Sequence, residues 1–193
     1  MLDNLSKYKI ILASHSPRRK ELLSGLDIVF EAKTVPDIDE SYPEELHGHE
    51  IPEYIARKKA EHYRQIILHD ELVITADTVV IVNDKILGKP ANREEAIWML
   101  KSLSGCTHDV TTGVCIVTKQ TLRVFSVTSR VSFAVLGEDE INYYVDKYQP
   151  FDKAGAYGIQ EWIGYIGVKS LEGSFYNVMG LPVQRLYQEL KEL

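Results

Sequence analysis

Apolar positions along the chain alternate between short extended runs and longer stretches with helical spacing. Tyr8 to Ala13, with Ile10-Ile11-Leu12-Ala13 at its centre, predicts a buried first strand. Ser14-His15-Ser16-Pro17 follows as a turn, with Ser16 as N-cap and Pro17 at the first position of a helix that runs to about Ser24 and stops at Gly25. Asp27 to Phe30 fits a second strand, and Pro36 to Pro43 is an acidic loop bounded by prolines. From Ile51 to about Leu68 the period is helical: Ile51, Ile55, Ala56, Tyr63, Ile66 and Ile67 fall on one arc that should face a core. Leu72 to Val82 is rich in β-branched residues, and Asn83-Asp84 turns it into Lys85-Ile86-Leu87 as a hairpin.

The later part of the chain predicts a helix from the N-cap Asn92 to Leu103, with Glu94 and Glu95 in its first turn. A second hairpin follows, from Val110 to Lys119 and from Leu122 to Val135, and then a helix from Glu138 to Tyr148. Trp162 to Val168 fits another strand. Leu181-Pro182 opens a terminal helix with Val183, Leu186, Tyr187 and Leu190 on one face. Strands and helices alternate early and hairpins dominate later. The expected class is therefore α/β, one domain over residues 1–193, with a mixed sheet and flanking helices bent into two lobes around a central cleft.

Composition narrows the partners. With 22 Lys and Arg against 28 Asp and Glu, the net charge of −6 gives no global attraction to a nucleic acid polymer or an anionic membrane, so any phosphate binding must be local. The two cysteines, Cys106 and Cys115, and the lack of a secretory signal or spanning segment predict reduced thiols in a cytoplasmic protein.

Three features fit stability poorly. Arg18-Arg19-Lys20 sets three positive charges in the first turn of a helix, against the positive end of its dipole. An anion held by backbone N–H groups, Ser14, Ser16 and the guanidinium groups would resolve that conflict; the plainer reading is a solvated basic turn. Lys59 lies in the middle of the apolar arc, where it either meets a partner or extends along the helix to water, and His62 in the same arc fits a core histidine. Asp77 interrupts an apolar strand and requires a cation, a metal or several donors, with a buried ion pair as the structural reading. The turn at Asn83-Asp84 brings Lys89 across from Thr78 within one residue of register, and Gly88 allows a bulge that turns the lysine to either face. Glu40 or Asp39 in the acidic loop offers a second carboxylate for magnesium. HExxH, GxSxG, Walker A, dinucleotide and cysteine-rich zinc patterns do not occur in the sequence.

Six segments in order, ILASHSPRRKELL (11–23), ADTVV (76–80), GKP (88–90), SGCTHDVTTGV (104–114), DKAGAYGIQ (152–160) and NVMGLP (177–182), resemble the motifs of the Maf family of nucleoside triphosphate pyrophosphatases. The resemblance covers nearly the whole chain and implies the elongated two-lobed fold that the family shares with inosine triphosphatases. It implies Asp77 as proton acceptor, Lys59 and Lys89 on phosphates, Arg19 with Ser14 and Ser16 along the triphosphate, and Glu40 with Asp77 on a divalent cation, Mg2+ or Mn2+. Arg18, Thr78 and Gln160 match positions that select the base in the dTTP/UTP-cleaving subgroup; a plain surface amide is the other reading of Gln160.

The chemistry so implied is attack of water on the α-phosphorus of a nucleoside triphosphate, as a house-cleaning activity, with modified pyrimidine triphosphates as further substrates. The resemblance leaves a homodimer open, and it offers as the alternative a nucleotide-binding regulator of cell division without turnover. Two departures stand out: His15 where a small residue is common, and Glu161-Trp162 where a glycine commonly follows the glutamine.

Overall fold

The computed structural model describes residues 2–33 and 38–193; the first two residues of the proline-bounded loop, 36 and 37, lie outside them. The strands are β1 (Lys9–Ala13), β2 (Phe30–Lys33), β3 (Glu71–Val82), β4 (Lys85–Leu87), β5 (Thr107–Val117), β6 (Leu122–Phe133) and β7 (Val168–Glu172). The helices are α1 (Pro17–Ser24), α2 (Glu50–Arg64), α3 (Arg93–Leu103), α4 (Glu138–Tyr148), α5 (Trp162–Gly167), α6 (Phe175–Met179) and α7 (Val183–Lys191). The sheet runs β2-β1-β3-β5-β6-β7 with β4 beside β3. β1 pairs in parallel with β2 and β3, while β3/β4 and β6/β7 are antiparallel. The expected α/β class with a mixed sheet and flanking helices is the class observed.

The chain divides into two compact units. The first comprises residues 1–77, 112–127 and 180–193, and the second residues 78–111 and 128–179. Each has its own apolar core. In the first, Ile11, Ala13, Ala56, Ala60, Tyr63, Val73, Cys115 and Val117 pack together, so β1, α2, β3 and β5 share one interior. In the second, Leu87, Leu100, Leu103, Val131, Phe133, Ile141 and Tyr144 join β4, α3, β6 and α4.

Two contacts fix α2 within the first unit. The buried Thr75 hydroxyl donates to the Ala56 carbonyl at 2.7 Å. At Gly113 the helix backbone approaches so closely that a Cβ there would lie 2.3 Å from the carbonyl carbon and oxygen of Pro52. Only glycine permits that approach of strand to helix.

Several expectations need correction. The second strand lies at Phe30–Lys33, not Asp27 to Phe30: Asp27 takes a left-handed φ of 55° and Val29 is exposed, so pairing to β1 starts later. α2 ends at Arg64, which leaves Ile66 in solvent and Ile67 in the core. His62 is exposed rather than a core histidine, because the last turn of α2 is buried only through Tyr63. Trp162 to Gly167 is a helix, and the strand follows it. Gly164 explains the difference: a Cβ there would sit 1.8 Å from the Ile159 carbonyl oxygen, so the run folds back tightly on its own start. The short helix α6 was not anticipated.

His108 on β5 is an isolated polar group in an apolar setting. Its Nε2 lies 2.7 Å from the Tyr157 hydroxyl, its Nδ1 is buried without a hydrogen-bond partner, and Phe133 meets the ring edge-on. Burial pushes its pKa down to about 4, with Asp109 opposing weakly. The imidazole is therefore neutral in the fold at physiological pH.

Two outcomes follow from this packing. Gly113→Ala forces α2 off β5 and costs at least 1–3 kcal/mol, roughly the penalty for overpacking, read as a drop in the urea midpoint. For His108, the unfolded chain takes up a proton below about pH 6.5 while the folded chain resists until about 4. Its contribution is thus complete above 6.5 and is lost as the pH falls toward 4, by roughly 3 kcal/mol. His108→Gln should remove that share of the slope when urea midpoints are compared at pH 7 and 4.5.

Candidate active site

In the first unit the strand β1 ends at Ala13 and delivers the chain to the start of α1. Ser14 is buried and its Oγ accepts from the Ser16 N–H at 3.2 Å. Ser16 is the N-cap, with its hydroxyl accepting from the Arg19 N–H at 3.4 Å, and Pro17 opens the helix as expected. The first turn holds no acidic residue, so Arg18 and Arg19 stand at the positive end of the helix. His15 is exposed beside them.

Arg19 is anchored by backbone. Its Nε donates to the Gly180 carbonyl and its NH1 to the Ala76 carbonyl, both at 2.8 Å. Burial lowers its pKa, partly offset by the negative charges of Asp77 and Glu40, so all three groups share one electrostatic neighbourhood.

Lys59 is the centre of that neighbourhood. Its ammonium lies 2.8 Å from Asp77 Oδ1 and 2.7 Å from Glu40 Oε1, and Lys59 and Asp77 are both buried. The placement follows from local periodicity. Thr75 and Asp77, two apart on β3, face the same side of the strand, and Ala56 and Lys59, three apart on α2, lie on one helix face. With Thr75 tied to Ala56, the next contact along the pair is Asp77 with Lys59. Arg57 points away and pairs with Glu61 on the surface.

Of the two described carboxylates of the acidic loop, one joins this cluster and the other stays apart. Asp39 accepts from the Ser41 N–H at 2.9 Å, from the Ser41 hydroxyl at 2.5 Å and from Lys58 at 3.2 Å, which holds it at about pKa 2. Glu40 is the residue that reaches Lys59.

The donor set suits a hard divalent ion. Glu40 and Asp77 direct oxygens at one cation, Lys59, and magnesium sites commonly use one or two carboxylates completed by phosphate oxygens and water. Among the described residues no group of three or more His, Cys, Asp or Glu side chains forms a metal cage, so a protein-only site of the zinc type is absent there.

The second unit carries Thr78, Lys89 and Gln160. Thr78 follows Asp77 directly along β3. Asn83 and Asp84 have φ of 48° and 60°, the double left-handed turn that favours a two-residue hairpin. The resulting register pairs Val80 with Leu87 and Val82 with Lys85; β4 ends at Leu87, and Lys89 lies exposed beyond it. The Gly88 carbonyl accepts from the Gly155 N–H at 3.0 Å, which ties this turn to the segment that leads to Gln160.

Gln160 lies in the turn before α5, not at a strand start. Its Oε1 is buried without a hydrogen-bond partner. With Ile159, Gly164, Tyr165 and Phe175 it lines a pocket of about 310 Å³.

Sequence reasoning did not anticipate the carbonyls of Ala76 and Gly180 as anchors, which no side-chain pattern announces. It also gave no role to Tyr144 and Lys153, which meet Glu161 beside Gln160.

The profile of the family described as Maf-like protein matches residues 9–193. The chain belongs to the Maf family. Among its Maf relatives, a protein of Bacteroides thetaiotaomicron named dTTP/UTP pyrophosphatase is 64% identical over 193 residues, covering all of both chains. One of the same name from Parabacteroides distasonis is 66% identical over 99% of each chain, and one from Flavobacterium johnsoniae is 44% identical over 99% of this chain and 98% of its own.

The fold extends beyond Maf proteins. A HAM1 protein from Coxiella burnetii superposes with a TM-score of 0.53 at 19% identity, covering 96% of this chain and 100% of that one. The Staphylococcus aureus Ham1 protein gives 0.50 at 20% identity, over 94% and 99%. These two share the architecture with the Maf chain.

The Lys59 cluster predicts a coupled stability effect. Lys59→Met leaves Glu40 and Asp77 without their shared cation and should cost on the order of 2 kcal/mol in urea unfolding. Adding Asp77→Asn removes one of the stranded charges, so the double variant should be more stable than Lys59→Met alone.

Proposed function

We propose that the chain hydrolyses dTTP and UTP, each to its nucleoside monophosphate and pyrophosphate. The observation that carries this reading is the Lys59 ammonium held between Glu40 and Asp77, in a Maf chain whose relatives at 44–66% identity are named dTTP/UTP pyrophosphatase. Water attacks the α-phosphorus, the new P–O bond forms as the bond to the bridging oxygen breaks, and pyrophosphate departs. Asp77 accepts the proton of the attacking water, while Lys59, 2.8 Å away, holds that carboxylate in place.

Glu40 and Asp77 would hold a divalent cation, Mg2+ or Mn2+, which when bound supplies charge neutralisation on the phosphates. Arg19, fixed by two carbonyls, and the Ser14 and Ser16 hydroxyls offer donors to phosphate oxygens at a helix start. The family resemblance gives Lys89 a role as a further positive charge toward phosphate.

Base choice rests on Arg18, Thr78 and Gln160. An amide oxygen buried without a donor suits the N3–H of thymine or uracil, while cytosine has no hydrogen at N3. The site's unmet acceptor therefore penalises the wrong base more than it rewards the right one.

The test is pyrophosphate release from dTTP, UTP, CTP, dATP, GTP and 7-methyl-GTP with Mg2+ or Mn2+. We expect dTTP and UTP to lead, Asp77→Asn to lower kcat by about 10²–10⁴-fold, and Gln160→Ala to flatten the ranking. Tight binding of dTTP with no pyrophosphate released would overturn hydrolysis in favour of a nucleotide-binding regulator.

A further inference from the structure

The residue after Gln160 is built into a buried polar clamp. Glu161 stands at the N-cap position of α5 without a capping side-chain bond, and its Oε2 instead accepts from the Tyr144 hydroxyl. Its Oε1 lies 3.1 Å from the Lys153 ammonium, which also bonds Asp152 at 2.8 Å. The Tyr144 hydroxyl in turn accepts from the Gly158 N–H at 3.0 Å, and the Glu161 N–H donates to the Gly158 carbonyl, also at 3.0 Å. Tyr144 is fully buried on α4 and stacks on Tyr148; only 8% of the Lys153 surface is exposed.

The clamp is close-fitting. A Cβ at Gly158 would come within 2.9 Å of the Glu161 carboxyl carbon and 3.1 Å of Lys153 Cε. On the other side of Gln160, Ile159 is packed into the core. Gln160 is thus a single residue held between a core anchor and an ionic anchor, and its amide oxygen has no hydrogen bond of its own to fix it.

We propose that Glu161, Tyr144 and Lys153 are positioning residues for base selection: they hold the backbone at Gln160 so that its amide meets the pyrimidine edge. This rests on the reading of Gln160 as the base-selecting amide. An amide that carries no internal hydrogen bond takes its direction from its backbone, and displacement of a recognising group by about 1 Å is enough for losses near 100-fold. The residues that pin Glu161 therefore determine discrimination without touching the substrate. A clamp that served stability alone would change unfolding and leave substrate ranking as it is.

The experiment measures kcat/KM for dTTP and for CTP in Tyr144→Phe, Glu161→Ala, Glu161→Gln and Gln160→Ala, and in the double variant Tyr144→Phe/Gln160→Ala. Tyr144→Phe keeps the ring and loses both hydroxyl bonds. It and Glu161→Ala should lower the dTTP:CTP ratio at least 10-fold, mainly through KM for dTTP, while Glu161→Gln, which still accepts from Tyr144, retains most of the ratio. In the Gln160→Ala background Tyr144→Phe should change the ratio no further.

If Tyr144→Phe and Glu161→Ala keep the wild-type ratio while Gln160→Ala collapses it, the clamp proposal is wrong and the Gln160 assignment stands. A Gln160→Ala protein with wild-type ranking removes both. An equal fall from Tyr144→Phe with and without Gln160 also overturns the proposal, since the effect then bypasses the amide. Should Tyr144→Phe fail to fold, the two Glu161 variants decide by the same ratios.

Discussion

A buried lysine shared by two carboxylates is the constraint around which the first unit is arranged. Lys59 takes Asp77 from the middle of β3 and Glu40 from a loop, so a strand, a helix and a connection of different local preference meet at one ammonium. Burying any one of these charges alone would be costly, and each is tolerable because the others are present. Arg19 extends the arrangement, since the carbonyl that orients it belongs to Ala76, directly before Asp77. Two cations and two anions thus form a compact set that is close to neutral as a whole while remaining strongly polar inside, a setting suited to receiving a metal-bound polyanion.

The second unit solves a different problem. Thr78, Lys89 and Gln160 lie on a hairpin and a glycine-rich segment that also send Val80, Leu87, Tyr157 and Ile159 into the core, and backbone geometry sets the turns between them. Two left-handed residues set the hairpin register, and Gly155, which itself has φ of 67° and would press any Cβ to 2.9 Å from Val80, donates its N–H to Gly88. The Glu161 clamp adds hydrogen bonds and an ion pair beside Gln160.

Much of this was legible in the sequence where a local rule had no competitor. The Ser16 cap with Pro17, the Asn92 cap, α4 from Glu138 to Tyr148 and the Asn83-Asp84 turn each carry their own signal, and the inward Lys59 emerged from helical periodicity because it falls in the arc that holds Ile51, Ile55 and Tyr63. The family motifs brought in Gln160, which its surroundings alone leave ambiguous. What stayed hidden depends on distant partners. β2 has no apolar pattern and forms by parallel pairing to β1. Trp162 to Gly167 is an apolar run whose helical form is decided by Gly164 meeting the Ile159 carbonyl. Tyr144 is an ordinary helix tyrosine until its hydroxyl reaches Glu161 from another element.

The segmentation of the first unit bears on the order in which the molecule can be assembled. That unit draws on residues 1–77, 112–127 and 180–193, whereas every residue of the second has been made by position 179. A chain emerging from the ribosome can therefore complete the interior built by α3, α4 and β6 while the first unit still lacks α7. Arg19, among the earliest residues to appear, waits for the Gly180 carbonyl, which arrives 161 positions later. The Arg19 anchor is in this sense the last part of the cluster to close, and a chain stopped short of residue 180 would carry Lys59, Glu40 and Asp77 without the Gly180 contact that helps fix Arg19.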